Sequence, residues 1–290
     1  MGTRTLDGAF RELLSRLTPT KAEVEAGASH RQSLRDCLDT RFGVYRFFET
    51  GSFSHGTGVR FFSDTDMIVS LKTSQQASSL PILVTIRDFL SIRFPSTRIY
   101  VSRPTVRVEF GGGYETWEIV PAFIRGKSPM TGEPVYSIPS ASNDGWILSS
   151  PESHLKYVND SNSNPEYGAA KALARLAKAW KYYNSVPISS FYLEMQAAQY
   201  MRGQSSFLPS LDVMYYLRHL QRIRLGDLQD PTGDTGWISA TSSSSAREEA
   251  LRHLDSAVFH ANQMAEAGDT TLGFVWADLL FDHKFPSQYF

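Results

Sequence analysis

The chain has 290 residues, 41% hydrophobic and 20% charged, enough apolar material to bury a core and to exclude wholesale disorder. Lys and Arg total 29 against 30 Asp and Glu, a formal charge of -1, which argues against a protein coated in nucleic acid but not against a local basic pocket. The single cysteine, Cys37, excludes an internal disulfide framework and any cysteine-based zinc ribbon.

No apolar run approaches the roughly 18 residues of a membrane span, and the opening MGTRTLDGAF lacks the apolar core of a signal peptide, so no membrane partner and a cytoplasmic location are expected. Residues 20–41 read as one long helix, with Leu34, Cys37, Leu38 and Arg41 at helical spacing. Short β-like runs follow at Met67–Leu71, Arg98–Val101, Thr105–Phe110 and Thr116–Pro121, with a helical segment over Pro81–Phe94 between the first two. In Thr105–Phe110 the apolar Val106, Val108 and Phe110 alternate with Arg107 and Glu109, and Gly111-Gly112-Gly113 then offers a hairpin turn into the Trp117 strand. Gly, Pro and Ser dominate 126–151, which reads as a long connection between two lobes. Beyond it the chain reads as helical: Ala169–Tyr183, Asp212–Arg222 and Ser245–Ala265, the last entered by a Ser245 cap with Glu248 three residues on. The expected architecture is a mixed α/β front half and a helical back half, divided at 1–135 and 136–290.

Chemistry concentrates in Gly51-Ser52-Phe53-Ser54-His55-Gly56-Thr57 and Ser63-Asp64-Thr65-Asp66-Met67-Ile68-Val69. Strand residues two apart share a face, so Asp64 and Asp66 project together while Met67 and Val69 point the other way. Carboxylates held side by side repel unless a cation stands between them, and a divalent ion is the usual answer. Gly51-Ser52 offers unhindered N–H groups near a helix start, a place for phosphate oxygens. In Trp117-Glu118-Ile119, Glu118 faces opposite to its apolar neighbours; if that strand lies beside the Asp64 strand, a three-carboxylate, two-metal site forms, suited to nucleotidyl transfer. Taken singly, Lys178 reads as a solvated helix lysine, Lys171 and Lys181, on roughly its stripe, as either phosphate contacts or plain surface, Phe191 as core, and Trp180 as core beside Leu173 and Leu176.

The joint pattern resembles the polymerase β type of nucleotidyltransferase. Within it the chain is most similar to the bacterial cGAS/DncV-like nucleotidyltransferases, the CD-NTases or second-messenger oligonucleotide/dinucleotide synthetases. The residues that carry the likeness are GSFSHGT at 51–57, SDTDMIV at 63–69, WEIVPAF at 117–123, WILSSPESHL at 146–155, ALARLAKAWKYYN at 172–184, ISSFYLE at 188–194 and the closing LLFDHKFPSQYF. The likeness spans about residues 20–290, and the later helical motifs narrow it to this family.

The resemblance implies an α+β fold, a mixed sheet flanked by helices packed on a C-terminal helical lobe. It implies two Mg²⁺ ions, with Mn²⁺ as substitute, on Asp64, Asp66 and Glu118, the last standing where many relatives have Asp. Gly51, Ser52, Lys178 and Ser190 would hold the donor triphosphate, and Phe191 would stack on a base. The implied activity joins nucleoside triphosphates, ATP or GTP foremost, into a cyclic di- or trinucleotide with release of pyrophosphate. The implied setting is anti-phage (CBASS) signalling, with a separate effector reading the product, no obligatory nucleic acid, and room for a regulatory protein partner. A template-independent transferase on RNA or protein is the enzymatic alternative, which the balanced charge disfavours. A catalytically silent nucleotide sensor is the other, against which both Asp64 and Asp66 are present.

Overall fold

The computed structural model describes residues 4–20, 28–60, 62, 64–113, 115–163 and 168–286. Helix α1 (Leu6–Leu17) and helix α2 (Ala28–Phe42) precede strand β1 (Val44–Thr50), a single helical turn α3 (Gly51–Ser54) and strand β2 (Thr65–Leu71). Helix α4 (Leu80–Arg93), β3 (Arg98–Ser102), β4 (Thr105–Phe110), β5 (Glu115–Lys127), β6 (Pro134–Pro139) and β7 (Trp146–Ser149) complete the sheet region. The helical region comprises α5 (Pro151–Asn162), α6 (Ala169–Tyr183), α7 (Ser190–Arg202), α8 (Pro209–Arg222), α9 (Ser244–Ala267) and α10 (Thr271–Leu280), with a two-residue ribbon of β8 (Leu228–Gln229) and β9 (Trp237–Ile238) between α8 and α9.

The sheet runs β1-β2-β5-β4-β3, with β6 on β5 and β7 on β6. It is mixed: β2 and β5 are parallel, whereas β1–β2, β3–β4, β4–β5, β5–β6 and β6–β7 are antiparallel. Strand β2 is buried on both faces, which is why it reads as an almost continuous apolar run. Met67 and Val69 pack with Leu34 and Leu38 of α2 and Leu83 and Ile86 of α4, while Ile68 meets Val120, Ala122 and Tyr136 on the opposite face. A separate helical core holds α6–α10 and also α1, whose Phe10 meets Phe281 and Phe285 edge-on. Among the described residues no helix is long and apolar enough to cross a membrane.

Several expectations need correction. Within the span read as one helix, α2 covers Ala28–Phe42, and residues 21–27 lie outside the described residues. The stretch 126–151 is not a bare connection: β5 extends to Lys127, and β6 and β7 form a hairpin on its far end. Helix α9 is capped by Ser243, whose hydroxyl accepts from the Ala246 N–H at 3.1 Å, because the helix starts one residue earlier than Ser245.

Candidate functional site

The site grows from the end of β1. Thr50 is the register partner of Asp66 across the antiparallel β1–β2 pair, and Asp66 is the partner of Glu118 across the parallel β2–β5 pair. Two carboxylates are thereby neighbours on adjacent strands, and Asp64, two residues before Asp66, joins them from the mouth of β2. The neighbourhood that was conditional in the sequence is met. Gly51 opens the helical turn at φ +66, and a Cβ built there would stand 2.0 Å from Asp66 Oδ2. Glycine is required at this position twice over, for the backbone angle and for room beside the carboxylate.

Arg107, opposite Glu118 in the β4–β5 pair, lies among these acids. Its guanidinium donates to the Asp64 carboxylate, and its Nε is 3.3 Å from Glu118 Oε1. Burial raises the Asp64 and Glu118 carboxyls, with Arg107 opposing the rise in both. Among the described residues Asp66 has no such partner. Burial first, then repulsion from Glu118 and Asp64, pushes it up to about 7, against the pull of Lys178.

Among the described residues no group of three or more His, Cys, Asp and Glu side chains is arranged to hold a metal ion. The donor chemistry nevertheless fits one. Carboxylate oxygens are the hard ligands that Mg²⁺ takes, and the elevation of Asp66 marks negative charge that the protein leaves uncompensated. Arg107 is the cation that already answers the Asp64 and Glu118 part of it.

All eight residues singled out in the sequence, Gly51, Ser52, Asp64, Asp66, Glu118, Lys178, Ser190 and Phe191, line one cavity of about 280 Å³, joined by Phe62, Tyr182 and Glu194. The sheet supplies the acids; α6 and α7 supply the opposite wall. Phe191 keeps 36% of its surface exposed, with its ring edge-to-face with His154 at 5.0 Å, so it is a free aromatic face and not core. Tyr182 stacks on Phe62 at 5.0 Å and shares the Ser190 hydroxyl, 3.1 Å from its own. Trp180 is core, as its spacing indicates.

Lys178 behaves differently from a solvated lysine. It is 1% exposed and ion-paired with Glu194 of α7, and its Nζ donates to Thr57 Oγ1 at 2.8 Å. Thr57 donates to the same carboxylate, and His55 Nδ1 meets its other oxygen. Burial alone would raise the Glu194 carboxyl, but Lys178 and His55 hold it well below the usual carboxylate range. Arg175 adds two bonds to the loop, to Gly56 O at 2.6 Å and Gly58 O at 2.9 Å. The loop that carries Gly51 and Ser52 is thus tied to the helical wall through a buried ionic network.

Sequence reasoning missed Arg107 and Glu194 as site residues. Strand parity, which sets Arg107 opposite Val106 and Val108, was the available signal for the first. For the second it was an acid at Glu194 within a helix whose neighbours Leu193 and Met195 are core.

Residues 5–162, more than half of the chain, match the family model for the Second Messenger Oligonucleotide or Dinucleotide Synthetase domain. No curated protein sequence matches. Among solved structures, CdnC of E. coli MS115-1 with ATP is similar over 98% of this chain and 99% of its own, with a TM-score of 0.78 at 17% identity. The CdnC:HORMA-deltaN complex from the same organism matches with a TM-score of 0.76, again at 17% identity and over 98% and 99% of the two chains. The CdnE cyclic dinucleotide synthase of Elizabethkingia meningoseptica with GTP and Apcpp matches over 87% of this chain and 97% of its own, with a TM-score of 0.67 at 18% identity. At these identities the likeness establishes the shared fold, a mixed sheet with flanking helices and a helical C-terminal region.

Proposed function

We propose, from the premise that the chain belongs to the Second Messenger Oligonucleotide or Dinucleotide Synthetase family, that this nucleotidyltransferase joins nucleoside triphosphates into a cyclic di- or trinucleotide with release of pyrophosphate. The observation that carries the reading is the convergence of three carboxylates, a Gly-Ser turn and an exposed aromatic face on one cavity. Asp64, Asp66 and Glu118 would hold a pair of Mg²⁺ or Mn²⁺ ions, which supply charge neutralisation for the attacking and leaving oxygens. The backbone N–H groups of the turn at Gly51 and the Ser52 hydroxyl bind phosphate oxygens. Lys178 and Ser190 face them from the helical wall, and Phe191 stacks on a base. A ribose hydroxyl of one nucleotide attacks the α-phosphate of the other; the new P–O bond forms as the bond to pyrophosphate breaks. A second round between the ends of the linear intermediate closes the ring.

The setting proposed is anti-phage signalling in the cytoplasm, with a separate effector that responds to the product. CdnC is seen in complex with HORMA-deltaN, which supports a regulatory protein partner for this chain too.

Pure protein incubated with all four nucleoside triphosphates and Mg²⁺ or Mn²⁺ is expected to release pyrophosphate and yield a phosphatase-resistant product, and Asp66→Ala to abolish both. Product that appears only with added RNA or protein, or turnover that survives Asp66→Ala, overturns the reading. Gly51→Ala displaces the Asp66 carboxylate, and a misplacement of about 1 Å costs on the order of 100-fold in turnover; a melting temperature near that of the native chain alongside that loss separates site damage from unfolding.

A further inference from the structure

Helix α6 carries three lysines, Lys171, Lys178 and Lys181, and the structure gives them three surroundings. Lys178 is neutralised, since Glu194 pairs with it inside the protein. Neither Lys171 nor Lys181 lines the cavity itself: Lys171 stands beside Gly56, where a Cβ would lie 3.4 Å from its Nζ. Lys181 donates its Nζ to Ser190 Oγ at 2.7 Å and lies 4.8 Å from the centre of the Tyr182 ring. Ser190 and Tyr182 are both cavity wall. Among the described residues no carboxylate pairs with Lys181.

A half-buried ammonium whose partners are one hydroxyl and one ring lacks its counter-charge. Burial, helped by Lys178, pulls its pKa down to about 8. The groups beside it are Lys178 and Tyr182 on its own helix and Ser190 on α7; the cavity that Ser190 lines also holds Glu194, Asp64 and Asp66. Of these the acids are already engaged or crowded together: Glu194 by Lys178 and His55, Asp64 by Arg107, and Asp66 by its acidic neighbours. An anion brought to Ser190 would complete the shell of Lys181.

We propose that Lys181 is a substrate-binding residue, the counter-charge that the helical wall offers to the terminal phosphates of a nucleoside triphosphate through Ser190. The inference rests on the nucleotidyltransferase reading and adds Lys181 to the positive charge that Lys178 brings to the helical wall.

The test is calorimetric binding of the non-cleavable analogues α,β-methylene-ATP and α,β-methylene-GTP in Mg²⁺. Lys181→Met is expected to weaken whichever analogue binds by about 10- to 100-fold, the scale of a lost charge-assisted hydrogen bond. Lys181→Arg should restore affinity to within about threefold, because it returns a permanent charge to the same place. As pH is raised from about 7 to about 9.5 the native chain should lose affinity while Lys181→Arg keeps it. A Lys181→Met chain that binds like the native one, or a loss that Arg does not restore, overturns this inference alone. A native chain that binds neither analogue overturns the nucleotide reading together with it.

Discussion

Asp66→Asn is expected to abolish nucleotide joining and, in the presence of a chelator, to raise the melting temperature. The two effects share one cause. Asp66 looks into the cavity, so it keeps some solvent, but it is ringed by Glu118, Asp64 and Glu194 with only Lys178 to oppose them, and its pKa is about 7. An unfolded chain returns it to the ordinary 3.8. The native state therefore binds this proton more tightly than the unfolded state does, and stability falls as pH rises through the window from about 4 to about 7. A rise from 3.8 to about 7 corresponds to at most about 4 kcal/mol at neutral pH, less whatever the cavity water relieves. The amide has no proton to lose, so this part of the slope vanishes. Melting curves in chelator at pH 5 and pH 8 should separate the two proteins less at the lower pH than at the higher, with Asp66→Asn the more stable. Adding Mg²⁺ should stabilise the native chain and leave the variant unmoved. Identical pH profiles for the two proteins would remove the electrostatic account of the site.

The same residues show what could be read from sequence and what could not. Parity along β2 places Asp64 and Asp66 on one side and Met67 and Val69 on the other, because a strand alternates whatever surrounds it. That Glu118 belongs with them depends on β2 and β5 being parallel neighbours, a fact that sits in the tertiary pairing Asp66↔Glu118 and in no local pattern. The stretch 126–151 hid a hairpin because its breakers are used, not avoided. Gly126, at φ +157, stands where the β5–β6 register shifts, and Pro134 and Pro139 sit at the two ends of β6. Composition saw only the breakers. Lys178 is the sharpest case. Helical period could set it on α6 beside Trp180, but its burial is decided by a partner on the next helix, brought over by the packing of α6 on α7. A lysine in a helix reads as solvated until the acid opposite is known.

Glu194→Gln carries the largest expected loss of stability. Glu194 and Lys178 are 2% and 1% exposed, and desolvated charges of this kind are tolerable only as a pair. The amide keeps the shape and an acceptor for Thr57, yet leaves the Lys178 ammonium buried without its anion, a loss of about 3–5 kcal/mol. For a chain of this size that lowers the melting temperature by roughly 10 °C. The damage should be local in origin: Thr57 and His55 both rest on the Glu194 carboxylate, so hydrogen exchange at residues 51–57 should speed up before the sheet or the α9–α10 helices respond. Replacing both partners, Lys178→Met with Glu194→Gln, removes the stranded charge, so the double variant should recover a large part of the loss and the cycle should show a coupling above about 2 kcal/mol. Because the readout is stability, it is independent of any contact between Lys178 and phosphate. The pH sign is opposite to that of Asp66. Glu194 is held below its ordinary range, so its contribution is present at neutral pH and is lost as acid carries the chain below about 4.5, where the unfolded carboxyl takes up its proton. A single Glu194→Gln variant that melts within about 2 °C of the native chain, on the same scale of roughly 2–4 °C per kcal/mol, would mean the network does not hold the loop.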